Sequence, residues 1–264
     1  MPADSVKKTL IVAFGVCIVC SILVSTAAVS LKGIQDENKR LDRIKNILLA
    51  GDLLNGDADL RTIYEEKIQP MMIDLSNGKQ VPKEEFNEVL NIEDFDITMV
   101  AGHPQYGMTI PSEKDTAKIN KMPKYTVVYI HKEDNVIKQI ILPVYGKGLW
   151  STMYGFVALD TDLKTVRGFT FYDHAETPGL GGEVDNPRWK AIWKGKQIFD
   201  EKGDLRIEVI KGTVDTSGSE AQYQIDGLSG ATLTARGVND LVRFWLGDDG
   251  YGPFFKRFKE EIYG

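Results

Sequence analysis

The chain has 264 residues, of which 42 % are hydrophobic and 27 % are charged, and its formal net charge is −6. This length and composition allow one large or two modest domains with a buried core, and they exclude a wholly disordered or fibrous chain. The acidic balance argues against a nucleic-acid partner, which requires a cationic surface. Cys17 and Cys20 are the only cysteines and the three histidines are far apart, so the sequence predicts no zinc-type metal site.

An uncharged apolar segment, Thr9–Leu31, follows Lys7 and Lys8 near the N-terminus. About 20 residues are enough to cross the hydrocarbon as a helix, whereas the apolar region of a cleaved signal peptide is about 7–15 residues long. The segment therefore predicts an uncleaved transmembrane helix at residues 9–31. Cys17 and Cys20 lie one turn apart on it, where we interpret them as packing residues, with a redox or metal pair as the alternative.

Two amphipathic helices are predicted after this segment by apolar residues at helical spacing. The first covers Asn38–Ala50 and the second covers Asp59–Leu75, where Pro70 kinks or divides it. Gly51 and the cluster Asn55-Gly56-Asp57 separate the two. Both are expected to face the core.

Beyond Lys124 the helical spacing of apolar residues ends. The chain there consists of runs rich in β-branched and aromatic residues that are joined by polar turns, which predicts strands. The predicted strands are Tyr125–His131, Val136–Val144, Met153–Leu159, Val166–Tyr172, Arg206–Ile210 and Ala221–Ile225. Two helices end the chain, with apolar stripes at Val238, Leu241, Val242 and Trp245 and at Phe254, Phe255, Phe258 and Ile262. The expected fold is α+β, an N-terminal transmembrane helix followed by a soluble domain with a twisted, mainly antiparallel sheet flanked by helices.

The stretch Asp226–Thr234 directly precedes the first of these terminal helices. A helix N-terminus supplies free N–H groups and a positive dipole end, which together suit a phosphate. Small residues let the backbone approach another group at Gly227, Ser229, Gly230 and Ala231, and hydroxyl groups for donation or covalent attachment stand at Ser229, Thr232 and Thr234. The alternative is an ordinary glycine-rich turn with a Ser or Thr helix cap. The stretch lacks the lysine of a P-loop and the dinucleotide fingerprint.

The stretch His174–Gly182 follows a predicted strand and contains three glycines around one leucine. Such a loop presents backbone amides and a single apolar contact to a flat ligand, and Thr177 is placed to hydrogen-bond its edge. A plain Thr-Pro-Gly turn is the alternative. His174 and Glu176 suggest acid–base catalysis only weakly, since no nucleophile or second carboxylate lies nearby in the sequence.

The stretch Gly146–Thr152 places Trp150 between flexible glycines and a serine. An aromatic ring stacked on a tryptophan contributes about 0.5–1.5 kcal/mol beyond burial. Trp150 is therefore a candidate platform for a ring, with a core tryptophan at a hairpin edge as the alternative.

These stretches carry a resemblance to a known family. Asp226-Gly-Leu-Ser-Gly-Ala-Thr232 resembles the flavinylation signature Asp-x-x-Ser/Thr-Gly-Ala-Thr of the FMN-binding domain family, in which a transferase moves FMN from FAD onto the last threonine. The stretches His174–Gly182, Gly146–Ser151, Asn186–Lys196 and Phe244–Pro253 are similar to the C-subunit family of the Na⁺-translocating NADH:quinone oxidoreductases. The anchor and the total length also fit, so the resemblance covers nearly the whole chain.

The resemblance implies that Thr232 carries FMN through a phosphoester, with Ser229, Gly230 and Ala231 shaping the turn. It implies that Asp226 assists the transferase, through Mg²⁺, and that the isoalloxazine lies between Leu149–Ser151 and Thr177–Gly181. The implied cofactor-binding residues are Leu149, Trp150, Ser151, His174, Glu176, Thr177, Gly179, Leu180, Gly181, Asp226, Gly227, Leu228, Ser229, Gly230, Ala231, Leu233 and Thr234.

It further implies an electron-carrying subunit that receives electrons from a membrane iron centre and passes them to the FMN of the B subunit, beside the A, D, E and F subunits. The implied location is the bacterial inner membrane, with a cytoplasmic N-terminus at 1–8, the span at 9–31, a periplasmic helical and mixed segment at 32–120 and the FMN-binding domain at 121–264. The alternatives are the RnfG-type flavoprotein of the ferredoxin-linked complex and a non-redox, membrane-tethered assembly protein in which Thr232 merely caps a helix.

Overall fold

The structure is a computed structural model that describes residues 6–54 and 59–263. Its helices are α1 (Val6–Ala50), α2 (Leu60–Lys67), α3 (Ile97–Gly102), α4 (Pro187–Ile192), α5 (Thr232–Leu246) and α6 (Gly252–Tyr263). Its strands are β1 (Ile68–Asp74), β2 (Gly107–Thr109), β3 (Lys121–Pro123), β4 (Tyr125–Glu133), β5 (Val136–Lys147), β6 (Thr152–Asp160), β7 (Val166–Asp173), β8 (Glu208–Val209) and β9 (Gln224–Ile225). The chain divides into two compact units at Asp42/Arg43. Three predicted features lie outside the described residues: positions 1–5 of the predicted cytoplasmic N-terminus, the separator Asn55-Gly56-Asp57 and the side chain of Ile262.

The helix α1 contains both the predicted anchor and the predicted helix Asn38–Ala50. The two predicted helices are continuous because nothing between them stops a helix: the connecting residues contain no proline, and Gly33 alone costs about 1 kcal/mol. The apolar part of α1 is exposed, and the helix is long and apolar enough to cross a membrane.

The last turns of α1 belong to the second unit and pack into its core. Ile44, Ile47 and Leu48 are buried there. Thr170 on β7 donates a hydrogen bond of 3.2 Å to the side-chain oxygen of Asn46. The residues from Arg43 to Ala50 are therefore part of the unit that carries the site.

The predicted helix Asp59–Leu75 is wrong in its second half. Asp59 caps α2, accepting from the N–H of Thr62 at 3.2 Å, but the chain becomes strand β1 at Ile68. β1 pairs antiparallel with β4, with Pro70 opposite Tyr129. β1 is an edge strand, where a proline is tolerated because no second neighbour needs its missing N–H.

Five strands form the main sheet in the order β1-β4-β5-β6-β7, and every neighbouring pair is antiparallel. The four predicted strands between Tyr125 and Tyr172 are confirmed. β5 extends to Lys147, beyond the predicted end at Val144, because Gly146 and Lys147 pair with Met153 and Thr152 of β6. A separate antiparallel pair joins β2 and β3.

The C-terminal part of the chain covers the sheet and leads to the site. The last two predicted strands shrink to the short parallel pair β8 and β9, and a 3-10 turn occupies Ala221–Tyr223. Both predicted terminal helices are confirmed as α5 and α6. Trp245 of α5 donates from Nε1 to the carbonyl of Tyr145 at 2.7 Å, which holds α5 against β5.

Candidate flavin-binding site

Three stretches with candidate site residues meet around one carboxylate, that of Glu176. Its oxygens accept hydrogen bonds from the backbone N–H groups of Leu149 at 3.2 Å, Trp150 at 2.9 Å and Ser151 at 3.2 Å. Thr234 of α5 donates its hydroxyl hydrogen to Glu176 Oε2 at 2.6 Å. Glu176 thus joins the β5–β6 turn, the loop after β7 and the first turn of α5.

Two glycines make room for this carboxylate. A Cβ at Gly148 would stand 2.5 Å from Glu176 Oε1, and one at Gly181 would stand 2.5 Å from Thr234 Oγ1 and 2.9 Å from Glu176 Oε2. Gly237 lets α5 approach the backbone of Lys147, which a Cβ would strike. Glycine is required at these places for close approach rather than for an unusual backbone angle.

Glu176 is ionised at neutral pH. Burial by itself would raise the pKa of this carboxyl group, but the hydrogen bonds from Thr234, Trp150, Ser151 and Leu149 outweigh burial and lower the pKa below its ordinary value. All four bonds are donated to the carboxylate. Glu176 is therefore a buried anion that joins the three stretches.

His174 holds the loop from the other side. Its Nδ1 accepts from the backbone N–H of Glu176 at 3.2 Å, and its Nε2 faces Asp185 Oδ2 at 2.8 Å. The hydrogen bond to Asp185 raises the pKa of His174, against the effect of burial. The neighbouring Ser151 hydroxyl accepts from the N–H of Ala175 at 2.8 Å. His174 and Ser151 both position the loop.

The helix α5 begins at Thr232 without a side-chain cap. Its N-cap residue is Ala231, with φ −129° and ψ 48°, which has no side chain able to bond to the free N–H groups of the first turn. Thr232 is exposed at the first helical position, whereas Thr234 is buried. The interpretation of Ser or Thr as an ordinary helix cap is therefore wrong for this helix. Its start offers free donors, a positive dipole end and one exposed hydroxyl.

The turn before α5 is held by its backbone. Gly230 has φ +71°, which favours glycine, and the N–H of Ala231 donates to the carbonyl of Leu228 at 3.1 Å. Asp226 accepts from the N–H of Val214 through Oδ1 at 2.8 Å and from Trp189 Nε1 through its carbonyl at 2.9 Å. The backbone of Gly227 passes so close to the carbonyl of Ile210 that a Cβ would strike it. Ser229 is exposed beside Gly230.

Four large apolar side chains are exposed on the loops and helix turn around Thr232. Trp150 is 66 % exposed, and the others are Leu149, Leu180 and Leu233. A Cβ at Gly230 would stand 3.1 Å from Leu180 Cδ2, so the loop after β7 touches the turn before α5. The interpretation of Trp150 as a core tryptophan is therefore wrong. Exposed apolar side chains on these loops can contact an apolar group.

The remaining residues of the loop form a tight turn. Thr177 accepts through its carbonyl from the N–H groups of Leu180 at 3.1 Å and Gly182 at 2.9 Å, and its side chain is exposed. Gly179 has φ +72°. The Thr-Pro-Gly turn interpretation is thus correct, and the same turn places Leu180 against Gly230.

Several residues that build this site carry no signal of their role in the sequence. Asp185 orients His174, Lys190 lies 3.2 Å from Asp185, and Trp189 holds the backbone of Asp226. All three belong to or adjoin the stretch Asn186–Lys196, which stands out in the sequence only by its resemblance to a family. The spacing of its aromatic and basic residues does not predict the contact of Trp189 with Asp226, which lies 37 residues further along the chain.

Comparisons with known proteins identify the domain and the family. The family model of the FMN-binding domain matches residues 148–247. This range contains His174–Gly182 and Asp226–Thr234 in full and the stretch Gly146–Thr152 from Gly148 onward. The C subunit of the Na⁺-translocating NADH-quinone reductase from Pseudomonas aeruginosa is 43 % identical over 261 residues, covering 97 % of each chain. The C subunit from Vibrio parahaemolyticus is 44 % identical over 258 residues, again covering 97 % of each chain.

Solved structures show the same fold. The crystal structure of Shewanella oneidensis NqrC has a TM-score of 0.77 and 36 % identity, and the match covers 85 % of this chain and 99 % of that chain. The C subunit from Parabacteroides distasonis has a TM-score of 0.64 and 26 % identity, with 85 % and 96 % covered. High identity over nearly the whole length favours the C subunit over the RnfG-type alternative. The chain belongs to the C-subunit family of the Na⁺-translocating NADH-quinone reductases, an oxidoreductase complex, and it contains an FMN-binding domain.

Proposed function

We propose that this chain is an electron-carrying subunit that holds FMN covalently through a phosphoester on Thr232. The observation that carries the proposal is the exposed Thr232 at the uncapped start of α5, in a helix turn that Glu176 joins to the loop of exposed Trp150. A phosphate there would find free N–H donors and a favourable dipole, and the attached ring would find an apolar platform.

The chemistry of the residues present fits FMN. Asp226–Ala231 supply a turn with glycines at positions 227 and 230, and Ser229 adds an exposed hydroxyl. Leu149, Trp150 and Leu180 offer apolar contact to the isoalloxazine. FMN supplies the redox chemistry when bound, and the chain fixes its position and surroundings.

The attachment reaction balances with FAD as the donor. The Thr232 oxygen forms a bond to the phosphorus on the FMN side, the pyrophosphate bond breaks, AMP leaves and the hydroxyl proton is released. A flavin transferase using FAD and Mg²⁺ is the implied catalyst. In the free chain, Asp226 already accepts from Val214 through one carboxylate oxygen, so any part it takes in that reaction falls to its other oxygen.

The relay and the topology belong to the same proposal. The chain receives electrons from a membrane iron centre and passes them to the FMN of the B subunit, with the D and E subunits as neighbours and the A and F subunits in the same complex. The apolar part of α1 anchors it as a single span of the bacterial inner membrane, with 1–8 cytoplasmic, 9–31 in the membrane and the segments 32–120 and 121–264 periplasmic. The length and apolar character of α1 support the anchor.

Mass spectrometry of the peptide covering residues 213–236, from the chain isolated with its membranes, tests the attachment and its position together. We expect the peptide to carry the mass of FMN less one water on Thr232. An unmodified peptide from cells that contain the transferase would contradict the covalent proposal.

A denaturing gel under ultraviolet light separates this proposal from the assembly protein. We expect a fluorescent band for the wild type and for Thr232→Ser, which keeps the hydroxyl, and a dark band for Thr232→Ala. A dark wild-type band would favour the assembly protein, and flavin released on denaturation would indicate reversible binding instead.

A further inference from the structure

The loop between β7 and α4 is closed at its base by one side-chain contact. His174 begins the loop, and Asp185 ends the 3-10 turn Gly181–Asp185 that follows it. His174 Nε2 lies 2.8 Å from Asp185 Oδ2, across 11 residues of sequence. The closed interval contains Glu176 and also Leu180, which touches the turn before α5. The position of this loop therefore depends on what holds the pair at its base.

Lys190 of α4 holds the pair from the other side. Its Nζ lies 3.2 Å from Asp185 Oδ1 and donates to Thr170 Oγ1 at 3.1 Å. Burial by itself would raise the pKa of Asp185, but the hydrogen bond from His174 and the charge of Lys190 outweigh burial and lower the pKa. Asp185 is thus an ionised carboxylate with a separate donor at each oxygen.

Thr170 of β7 continues the connection towards α1. Its side chain accepts from Lys190 and donates to Asn46 Oδ1 at 3.2 Å, with the carbonyl of Phe171 at 3.3 Å as a second acceptor for the same hydrogen. Thr170 and Asn46 are 2 % and 7 % exposed, so water does not compete freely for these bonds. A buried hydroxyl group that both accepts and donates fixes the direction of its two neighbours.

These contacts form one continuous path. It consists, in order, of Asn46, Thr170, Lys190, Asp185, His174 and the backbone N–H of Glu176, which donates to His174 Nδ1. No hydrogen bond or ion pair along it is longer than 3.2 Å. Lys190 is the middle link, because removal of its ammonium group separates the two residues on the side of the loop from the two on the side of α1.

We propose that Lys190 is a positioning residue of the flavin-binding site, which fixes the loop that carries Glu176 relative to the last turns of α1. It acts through Asp185 and His174 and does not touch the flavin. A change of hydrogen bonding at Asn46 then reaches Glu176. The effect on the flavin rests on the proposed function, whereas the effect on the loop does not.

The His174 ring reports whether Lys190 acts on the loop. Nitrogen-15 NMR of the ring against pH is measured on the full-length chain in detergent, prepared without the transferase and therefore free of flavin. Lys190→Met removes the cation that competes with His174 for Asp185. The pKa of His174 should rise by about 0.5 or more, the effect of one unit charge at roughly 6 Å in water.

Two variants are the controls for this measurement. Lys190→Arg keeps the charge and should change the pKa of His174 by less than about 0.2. Lys194→Met removes the same charge four residues further along the chain, where Lys194 pairs with Asp52 at 2.6 Å outside the path. In about 0.15 M salt it should also change the pKa by less than about 0.2, because charges beyond the Debye length are screened.

Asn46 tests the whole path, because it is uncharged and cannot act on His174 through charge. Asn46→Leu removes the acceptor of Thr170, and the ring resonance of His174 should move in a chain that keeps Lys190. The movement should be lost when Lys190 is already Met. Thr170→Val, which keeps the shape and every charge, is the second variant and should also move the resonance.

The flavin itself gives a separate readout. In the chain that carries covalent FMN, the fluorescence anisotropy of the flavin should fall in Lys190→Met, because a loosened loop lets the ring move. Lys190→Arg and Lys194→Met should keep the wild-type anisotropy.

The proposal is overturned if Lys190→Met leaves the pKa of His174 unchanged, or if Asn46→Leu moves the resonance equally with and without Lys190. Equal anisotropy of Lys190→Met and Lys194→Met would also overturn it and leave the proposed function standing. Absence of covalent FMN from the wild type would instead contradict the proposed function, and the measurements on the flavin-free chain would still decide the role of Lys190.

Discussion

Thr234 Oγ1 donates a 2.6 Å hydrogen bond to Glu176 Oε2, across 58 residues of sequence. This bond joins the first turn of α5 to the loop after β7. The other carboxylate oxygen receives the N–H groups of Trp150 and Ser151 from the β5–β6 turn. Four donors converge on one buried anion, so the position of the first turn of α5, which contains Thr232, depends on Glu176.

Replacement of Glu176 by Gln should destabilise the chain. A carboxylate accepts at both oxygens, whereas the amide nitrogen of Gln is a donor and would face donors from the protein. Loss of two charge-assisted bonds should lower the free energy of unfolding by about 2–4 kcal/mol, measured by urea denaturation with tryptophan fluorescence. Glu201→Gln, at an exposed position, is the control and should change it by less than about 0.5 kcal/mol. Equal effects of the two substitutions would contradict the central role of Glu176.

His174 should make stability depend on pH in the neutral range. Its pKa is raised in the folded chain, chiefly by the hydrogen bond to Asp185, so it stabilises the fold fully below its unfolded pKa of about 6.5. That contribution is lost as the pH rises through the folded-state pKa. His174→Gln should therefore flatten the fall in unfolding free energy above pH 6.5. Unfolding curves from pH 5.5 to 8.5 measure it, and an unchanged pH dependence in the variant would refute this assignment.

Gly181→Ala should lower the free energy of unfolding, although Gly181 has no unusual backbone angle. The new Cβ would stand 2.5 Å from Thr234 Oγ1 and 2.9 Å from Glu176 Oε2 and would push the hydrogen-bonded pair apart. We expect a loss of about 1–3 kcal/mol in urea denaturation. Gly102→Ala is the matched control, because nothing lies within 4 Å of its Cβ, and it should be nearly neutral. A neutral Gly181→Ala would show that the pair tolerates separation.

Thr232→Ala should remove covalent flavin without weakening the fold. Thr232 is exposed and does not cap α5, so its hydroxyl contributes little to the stability of the flavin-free chain. We expect the unfolding free energies of the two flavin-free proteins to agree within about 0.5 kcal/mol. A loss of more than about 1 kcal/mol, near the value of a typical cap, would restore the cap interpretation.

The local sequence pattern was sufficient to predict many of the helices and strands of this molecule. The uncharged run Thr9–Leu31, the alternating strands between Tyr125 and Tyr172 and the apolar stripe from Val238 to Trp245 each depend on neighbours along the chain. Their physical cause, one-sided burial at a fixed period, is visible in the residues themselves. The glycine-rich signature at Asp226–Thr232 was equally readable.

Only the tertiary structure decided the rest. Ile68–Asp74 became a strand rather than a helix because β4 offered it an edge, and a pairing partner as distant as Val128 is from Met71 leaves no local trace. Glu176 became the centre of the site for the same reason, because its partner Thr234 is 58 residues away. The amino-acid sequence determines which groups can donate or accept hydrogen bonds and which can be buried. Long-range packing decides which of these groups contact one another.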